Sequence, residues 1–235
     1  MSDDEPDFPH DYKYSELKFS ERRVLMVERA EPDDYVNEYS GLIQWSGSDE
    51  DNPVILGAFA CTLIDADSAI NDSRSVEVTF DASSSTWDVY QALYDPETHE
   101  LRESVVKLAF QDEYSSTYNV LLLDRLVIYP EHRGHGLGLI ALRALMQEFR
   151  SFVSLIVMKP YPLQFESEEG PTHEPLDGLG REHWKLDAFP RRETVATAKL
   201  RKYYSKLGFV RVPKTPYMVR AAVFALPSID ELIED

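Results

Sequence analysis

The residues with the clearest capacity for chemistry form one glycine-rich run, Arg133-Gly134-His135-Gly136-Leu137-Gly138. Glycine allows the backbone to bend sharply and to approach a ligand closely. Where a helix begins in such a run, its free N–H groups and the positive end of its dipole favour an anion such as a pyrophosphate. A tight connection between a strand and a helix also needs glycine, so a purely structural role stays open.

Three better-known glycine patterns do not fit this run. A dinucleotide-binding turn requires Gly-x-Gly-x-x-Gly, whereas the glycines fall at Gly134, Gly136 and Gly138. A nucleotide-triphosphate loop requires Gly-Lys-Ser or Gly-Lys-Thr, which is absent. The Gly-x-Ser-x-Gly elbow of many serine hydrolases is absent as well.

The elements around the run must hold it between a buried strand and an amphipathic helix. Residues 119–129 are almost all apolar, as is typical of a central strand covered on both faces, and Pro130 ends the strand. After the turn, apolar side chains follow the spacing of one helix face, at Leu142, Leu145, Met146 and Phe149. The sequence therefore predicts the order strand, glycine turn, helix.

The remaining sequence predicts further strands and helices of one α/β domain over residues 21–235, preceded by a loose acidic arm over 1–20. Strands are expected at 23–30, 41–45, 54–64, 76–80, 152–158 and 217–224, and helices around 87–94 and over 196–207, where Gly208 provides the cap. Residues 159–194 are too long for an ordinary connection. They predict an insertion or lid on the acceptor side of the site, with a short helix over 181–189.

Two motifs of the chain, in the expected order, are similar to those of one enzyme family. Arg133, Gly136 and Gly138 match a coenzyme A motif of Arg or Gln, two residues, Gly, one residue, and Gly or Ala. The preceding residues 126–132 look like the fourth strand and lead-in of that family. An aromatic pair before Gly-Phe follows as Tyr203-Tyr204-Ser205-Lys206-Leu207-Gly208-Phe209. On these motifs the chain resembles the GNAT family of N-acetyltransferases.

The resemblance implies a GNAT-like mixed central sheet flanked by helices, with the insertion before the last helix. It also implies transfer of an acetyl or other short acyl group from acetyl-CoA to a primary amine, with no metal. The residues implied in binding the co-substrate are Leu126, Val127, Ile128, Arg133, Gly134, His135, Gly136, Leu137 and Gly138. Tyr204 matches the family tyrosine that protonates the departing thiolate, and Tyr203 takes the packing side of the pair. A non-catalytic sensor or partner-binding module of the same fold stays open as the alternative.

The acceptor amine must lose a proton, and Asp124 on the predicted central strand is the candidate base. A buried carboxylate is costly unless it is paired, so a salt bridge with a neighbouring basic residue is an open alternative. A water chain with no dedicated base is another. Tyr204 also has an alternative role, as a plain aromatic of the core.

The balance of 42 acidic against 24 basic residues gives a net charge of −18, which repels phosphate backbones, so we expect no nucleic-acid partner. The same charge favours a small-molecule or peptide amine with more than one positive charge, although it also serves solubility. The histidines are too scattered for a metal site, and His135 is expected near the co-substrate with the others at the surface. The only cysteine, Cys61, is expected to be a buried small apolar residue.

The acidic N-terminus and the lack of a long apolar run predict a cytoplasmic protein without a membrane partner. The sequence leaves a monomer or a homodimer open.

Overall fold

A computed structural model describes residues 16–22, 31–45, 53–111, 113, 117–166, 184–186 and 190–233. These residues form a seven-stranded mixed sheet in the order β1-β2-β3-β4-β5-β7-β6. The strands are β1 (Glu16–Arg22), β2 (Val36–Trp45), β3 (Val54–Ile64), β4 (Val120–Ile128), β5 (Leu155–Met158), β6 (Val210–Arg211) and β7 (Met218–Ala221).

The sheet is covered by helices on both faces. The helices are α1 (Ala66–Asn71), α2 (Val76–Phe80), α3 (Ser84–Leu93), α4 (Glu103–Ala109), α5 (Leu137–Phe149), α6 (Glu193–Ser205) and α7 (Ile229–Ile233). Apolar side chains of α2, α3 and α4 pack on one face, and those of α5 pack on the other with the tyrosines of α6 at its border. The protein is therefore a mixed α/β fold, as the sequence predicts. None of the described helices has both the length and the apolar character needed to cross a lipid bilayer.

The parallel pair at the centre of the sheet is short. β4 and β5 pair only from Val120 with Leu155 to Leu123 with Met158, whereas every other neighbouring pair of strands is antiparallel. β4 continues beyond that point to Ile128. The edge of β4 that faces β5 is consequently not paired with it over residues 124–128, and a cleft opens there.

A bulge lies where this unpaired part of β4 begins. Leu123 pairs with Cys61 and Arg125 pairs with Ala60, so Asp124 is an extra residue without a partner on β3. An extra residue in one strand interrupts the ladder and bends the strand locally.

The bulge also reverses the alternation of side chains along β4. Before it, Leu121 and Leu123 belong to the core under α5. After it, Leu126 and Ile128 pack against that same core, and Val127 joins a separate cluster. Before the bulge the odd-numbered side chains of β4 face α5, and after it the even-numbered side chains do.

Most of the periodic segments are confirmed. The predicted hairpin is formed by β2 and β3, which pair antiparallel, and the strand, turn and helix around the glycine run are present as β4 and α5. The helix predicted around residues 87–94 corresponds to α3. Gly208 has a φ of 84° after α6, the left-handed conformation expected of a helix-ending glycine.

The strand predicted at Val76–Phe80 is wrong, because these residues form α2. Their β-branched side chains favour a strand, but long-range packing decides. Phe80 is fully buried with its ring centroid 4.9 Å from that of Tyr94, and the Thr79 hydroxyl donates to the Val76 carbonyl oxygen at 2.6 Å. A satisfied helical turn is more stable in this setting.

Two segments have boundaries that differ from the predicted ones. Residues 16–20, assigned to the N-terminal arm, belong to β1 and pair with β2. The strand predicted at 23–30 lies outside the described residues. The last long helix begins at Glu193, inside the predicted insertion, and of the helix predicted over 181–189 the structure describes only residues 184–186.

Candidate functional site

The structure brings the predicted site residues into one cleft of about 800 Å³. The cleft lies between the unpaired part of β4, the start of α5 and one face of α6. All of the residues proposed above for binding and catalysis line it, namely Asp124, Leu126, Val127, Ile128, Arg133, Gly134, His135, Gly136, Leu137, Gly138 and Tyr204. Their roles remain predictions, but their proximity is a property of the fold.

The glycine turn adopts the backbone conformation that its residue types suggest. Gly134 has a φ of 89° and Gly136 a φ of 72°, both in the left-handed region that favours glycine. The Gly136 carbonyl accepts the first helical hydrogen bonds of α5, from Leu139 N–H at 2.9 Å and Ile140 N–H at 3.1 Å. The earlier N–H groups of α5, at Leu137 and Gly138, have no acceptor within the helix, so the start of α5 offers donors to an anion.

The hydroxyl of Tyr203 lies against the first turn of α5. A Cβ atom at Gly138 would be 2.6 Å from this hydroxyl oxygen, which also lies near the Leu139 backbone. Burial raises the pKa of Tyr203 to about 12, and the Leu139 amide partly opposes that shift. The phenol is therefore neutral at physiological pH.

Tyr203, which the sequence predicts to be a packing residue, lines the cleft next to α5. Other cleft residues that the sequence does not predict include Arg125, Lys159 and Lys199. A signal was present in α6, because Ala196, Leu200 and Tyr203 recur at helical spacing and share the cleft-facing side.

Tyr204 also lines the cleft and is partly buried. Its ring lies 5.5 Å from that of Tyr203 in an edge-to-face arrangement. Burial raises the pKa of Tyr204 well above its ordinary value, with a smaller contribution from Tyr203. The Tyr204 hydroxyl is thus available as a proton donor at neutral pH.

Arg133 fastens the glycine turn to its surroundings. Its Nε donates to the Ile128 carbonyl oxygen at 2.8 Å, and its Nη2 donates to the Trp184 carbonyl oxygen. Burial lowers the pKa of Arg133, while Glu131 acts in the opposite direction. The guanidinium therefore links the end of β4 to the inserted segment through two backbone carbonyl groups.

Asp124 lies at the bulge of β4. The residue is exposed on the side of the cleft, and protein atoms surround its other sides. Its Oδ2 accepts a hydrogen bond from the Thr62 hydroxyl at 2.6 Å. Burial raises the pKa of Asp124 to about 6, the Thr62 bond opposes the rise, and Glu38 adds to it. The salt bridge considered from sequence is absent among the described residues, since neighbouring Arg125 pairs with Glu166.

The charge of the cleft is opposite to that of the chain. Asp124 is the one acidic residue among the described residues that line it. The basic residues that line it are Arg125, Arg133, Lys159, Lys199 and Lys206, together with His132 and His135. An acidic protein therefore carries a cleft whose walls attract anions.

The inserted segment belongs partly to the core. Trp184 is 1% exposed and clusters with Val127 and Tyr129, with Leu163 and Leu186 packed alongside. This packing corrects the expectation that residues 159–194 form only a lid over the acceptor.

Three other observations concern residues near the site. His132 is buried, contrary to the surface position expected, and burial lowers its pKa. Cys61 is buried as predicted, and burial, together with the nearby Asp124 carboxylate, raises the pKa of its thiol to about 12. In α7, which was not predicted, Ile233 Cγ1 is 3.5 Å from the position of a Cβ at Gly136, so this helix borders the turn.

No protein-family model matches the chain, and no curated protein matches its sequence. Within the described ranges, no group of three His, Cys, Asp or Glu side chains is placed to hold a metal ion. The support for a function is therefore the geometry and charge of the cleft.

Proposed function

We propose that the protein is a GNAT-type N-acetyltransferase that transfers an acetyl or short acyl group from acyl-coenzyme A to a primary amine. The observation that carries the proposal is the cationic cleft of an acidic chain, closed at one end by a left-handed glycine turn and the start of α5. Coenzyme A combines several phosphate charges with a long uncharged arm, and the cleft offers both environments. Among the described residues the strand before the turn, β4, is the fourth, and in the family resemblance it takes the place of the fourth strand.

The binding mode follows from the exposed backbone of β4. Because β5 pairs with β4 only as far as Leu123, the edge of residues 126–128 is not paired with β5 and can form hydrogen bonds with the pantetheine arm, although the Ile128 carbonyl oxygen already accepts one from Arg133 Nε. The diphosphate then lies at the Gly134–Gly138 turn, near the unsatisfied amides of α5. The acyl carbonyl is held close to Asp124, at the opposite end of the unpaired stretch.

The transfer requires two proton movements. The amine nitrogen forms a bond to the acyl carbon and gives its proton to the Asp124 carboxylate. The carbon–sulfur bond breaks, and Tyr204 donates its phenolic proton to the departing thiolate. Asp124 suits the first role because its pKa of about 6 leaves it ionised yet basic at neutral pH.

The acceptor is proposed to be cationic. Asp124 faces the cleft, and Glu38 is close enough for its charge to raise the pKa of Asp124. The region that resembles the family least lies before β4, where α1 to α4 all follow β3. Because Asp124 lines the cleft, with Glu38 close to it, and the chain has a net charge of −18, we assign the acceptor to the class of amines with more than one positive charge. We expect the apparent affinity for such an amine to fall as salt rises.

The test is whether acetyl-CoA binds and turns over. Acetyl-CoA should raise the Tm, because a ligand that binds only the folded state stabilises it. A panel of amines should then release free thiol, with polyamines or lysine peptides preferred. A raised Tm without thiol release for any amine would instead support a non-catalytic coenzyme A-binding module.

A pair of variants at Gly136 locates the binding site. Asn and Asp have similar shapes, and both tolerate the left-handed conformation at this position better than other residues. Gly136→Asp should abolish the thermal shift by adding a negative charge beside the diphosphate, whereas Gly136→Asn should retain part of it. Equal shifts in the two variants would place the diphosphate elsewhere.

A further inference from the structure

We propose that Tyr203 binds the diphosphate of coenzyme A, by donating its hydroxyl proton to a phosphate oxygen at the start of α5. This inference rests on the proposed function and assigns a residue that the motif comparison treats as packing. It separates the two adjacent tyrosines into a binding residue and a catalytic residue.

The first support is the position of the Tyr203 hydroxyl. It lies beside Gly138 and near the Leu139 backbone, so it is adjacent to the first turn of α5 and inside the cleft. The N–H groups of Leu137 and Gly138 belong to the same turn and need an acceptor from outside the helix. A ligand oxygen at this point can therefore meet the phenol and the amides together.

The second support is the hydrogen-bonding capacity of the phenol. A tyrosine hydroxyl has one proton to donate and can also accept. Within the described part of the chain, no residue accepts the Tyr203 proton. Because burial keeps the phenol protonated, that proton remains available for a ligand in the cleft.

The chemistry around the hydroxyl favours phosphate over an uncharged group. His135 and Gly136 lie in the glycine turn, Lys199 lies on the same helix as Tyr203, and Lys206 directly follows that helix; all four residues line the cleft. A hydrogen bond to a charged group is stronger than one to a neutral group. The Tyr203 phenol adds a hydrogen-bond donor to the basic side chains and backbone N–H groups that line this part of the cleft.

Neighbouring positions on a helix point about 100° apart, so Tyr203 and Tyr204 cannot serve the same ligand atom. Tyr203 reaches the start of α5, where the diphosphate binds. Tyr204 remains the candidate that donates a proton to the sulfur atom at the other end of the pantetheine arm.

The experiment compares coenzyme A with pantetheine, which has the arm and the thiol but no phosphate. In Tyr203→Phe, calorimetry should show an affinity for coenzyme A that is about 10- to 100-fold lower, the usual range for one hydrogen bond to a charged group. The affinity for pantetheine should not change. The matched control is Tyr204→Phe, for which the affinity for both ligands should stay within about twofold of wild type.

The possible results are distinct. If wild type binds coenzyme A and Tyr203→Phe binds it equally well, or loses coenzyme A and pantetheine to the same extent, the assignment to phosphate is wrong. If wild type does not bind coenzyme A, the proposed function itself fails. Should Tyr203→Phe not fold, Gly138→Ala provides a second test, because it displaces the hydroxyl and should reduce affinity for coenzyme A while sparing pantetheine.

Discussion

The hydroxyl oxygen of Tyr203 lies 2.6 Å from the point at which a side chain on Gly138 would begin. Real Cβ atoms essentially never make such a contact, so a side chain at residue 138 requires the phenol to move. The motif of the family that the chain resembles accepts either Gly or Ala at this position. In this chain an alanine there would displace the Tyr203 hydroxyl.

We expect Gly138→Ala to lower the free energy of unfolding by about 1–3 kcal/mol, as inserted methyl groups do in packed sites. Adding Tyr203→Phe should recover most of the loss, because the remaining neighbours of the new methyl, Leu126 Cδ2 at 3.4 Å and the Tyr203 ring carbon Cζ at 3.5 Å, are at ordinary contact distances. Urea denaturation of the two single variants and the double variant gives the coupling energy. Simple additivity would show that the hydroxyl does not restrict residue 138.

The second prediction concerns the general acid. Tyr204→Phe removes the proton donor but keeps the ring, so turnover should fall by about 10- to 1000-fold while binding of acetyl-CoA is preserved. Single-turnover measurements would show the effect on chemistry. Tyr161→Phe is the control, since the Tyr161 hydroxyl lines the same cleft but donates to the Phe165 carbonyl oxygen at 2.8 Å. Full turnover in Tyr204→Phe would reduce this residue to a core aromatic.

The third prediction is a pH profile set by Asp124. In the proposed mechanism the carboxylate is the active base, and its pKa is raised to about 6. Turnover should therefore decline as the pH falls through about 6, where the base becomes protonated. Asp124→Asn should remove this acid limb along with most of the activity. An unchanged profile in that variant would assign proton removal to water.

The same shift affects stability in a defined direction. The folded-state pKa of Asp124 exceeds the value of about 3.9 for an aspartate in an unfolded chain, so folding favours the protonated form. Its contribution to stability is fully present below pH of about 4 and is lost as the pH rises through about 6. Asp124→Asn should accordingly have a higher Tm than wild type at pH 8, and the difference should shrink towards pH 4.

The fourth prediction tests the inserted segment. Trp184 is buried against Val127 and Tyr129, so Trp184→Ala should cost about 3–5 kcal/mol of the free energy of unfolding. Phe152→Ala is the control, because this aromatic side chain is 59% exposed and its loss should change stability by about 0.5 kcal/mol or less. A small effect of Trp184→Ala would restore the interpretation of the segment as a removable lid.

The fifth prediction uses two lysines of α6. Lys199 and Lys202 are both exposed on one helix, but only Lys199 lines the cleft. Lys199→Gln should weaken binding of coenzyme A by about two- to fivefold at low salt, in line with the modest energies of exposed charges, and the effect should vanish at high salt. Lys202→Gln makes the same change in net charge and should leave the affinity unchanged. Equal losses would indicate a general effect of charge.

The glycine turn could be predicted because its evidence is local. A continuous apolar run before Arg133 and helical periodicity after Gly138 both lie within about fifteen residues of the turn. The helix at Val76–Phe80 and the burial of His132 could not be predicted, since both depend on partners distant in sequence. The position of Asp124 was only half predictable, because the sequence placed it on the central strand but nothing in the sequence indicated a bulge.

That bulge has a consequence for how the gene can change. Deletion of the single codon for Asp124 would join Leu123 directly to Arg125 and restore an uninterrupted strand. Because Leu123 and Arg125 pair with the adjacent residues Cys61 and Ala60, the later side chains would keep their faces, with Leu126 and Ile128 still turned towards α5. Single-residue deletions are ordinarily tolerated in loops, yet this one inside a strand would remove only the local bend and the carboxylate. An alignment of this chain with a homologue lacking the bulge therefore needs its gap inside β4, at residue 124.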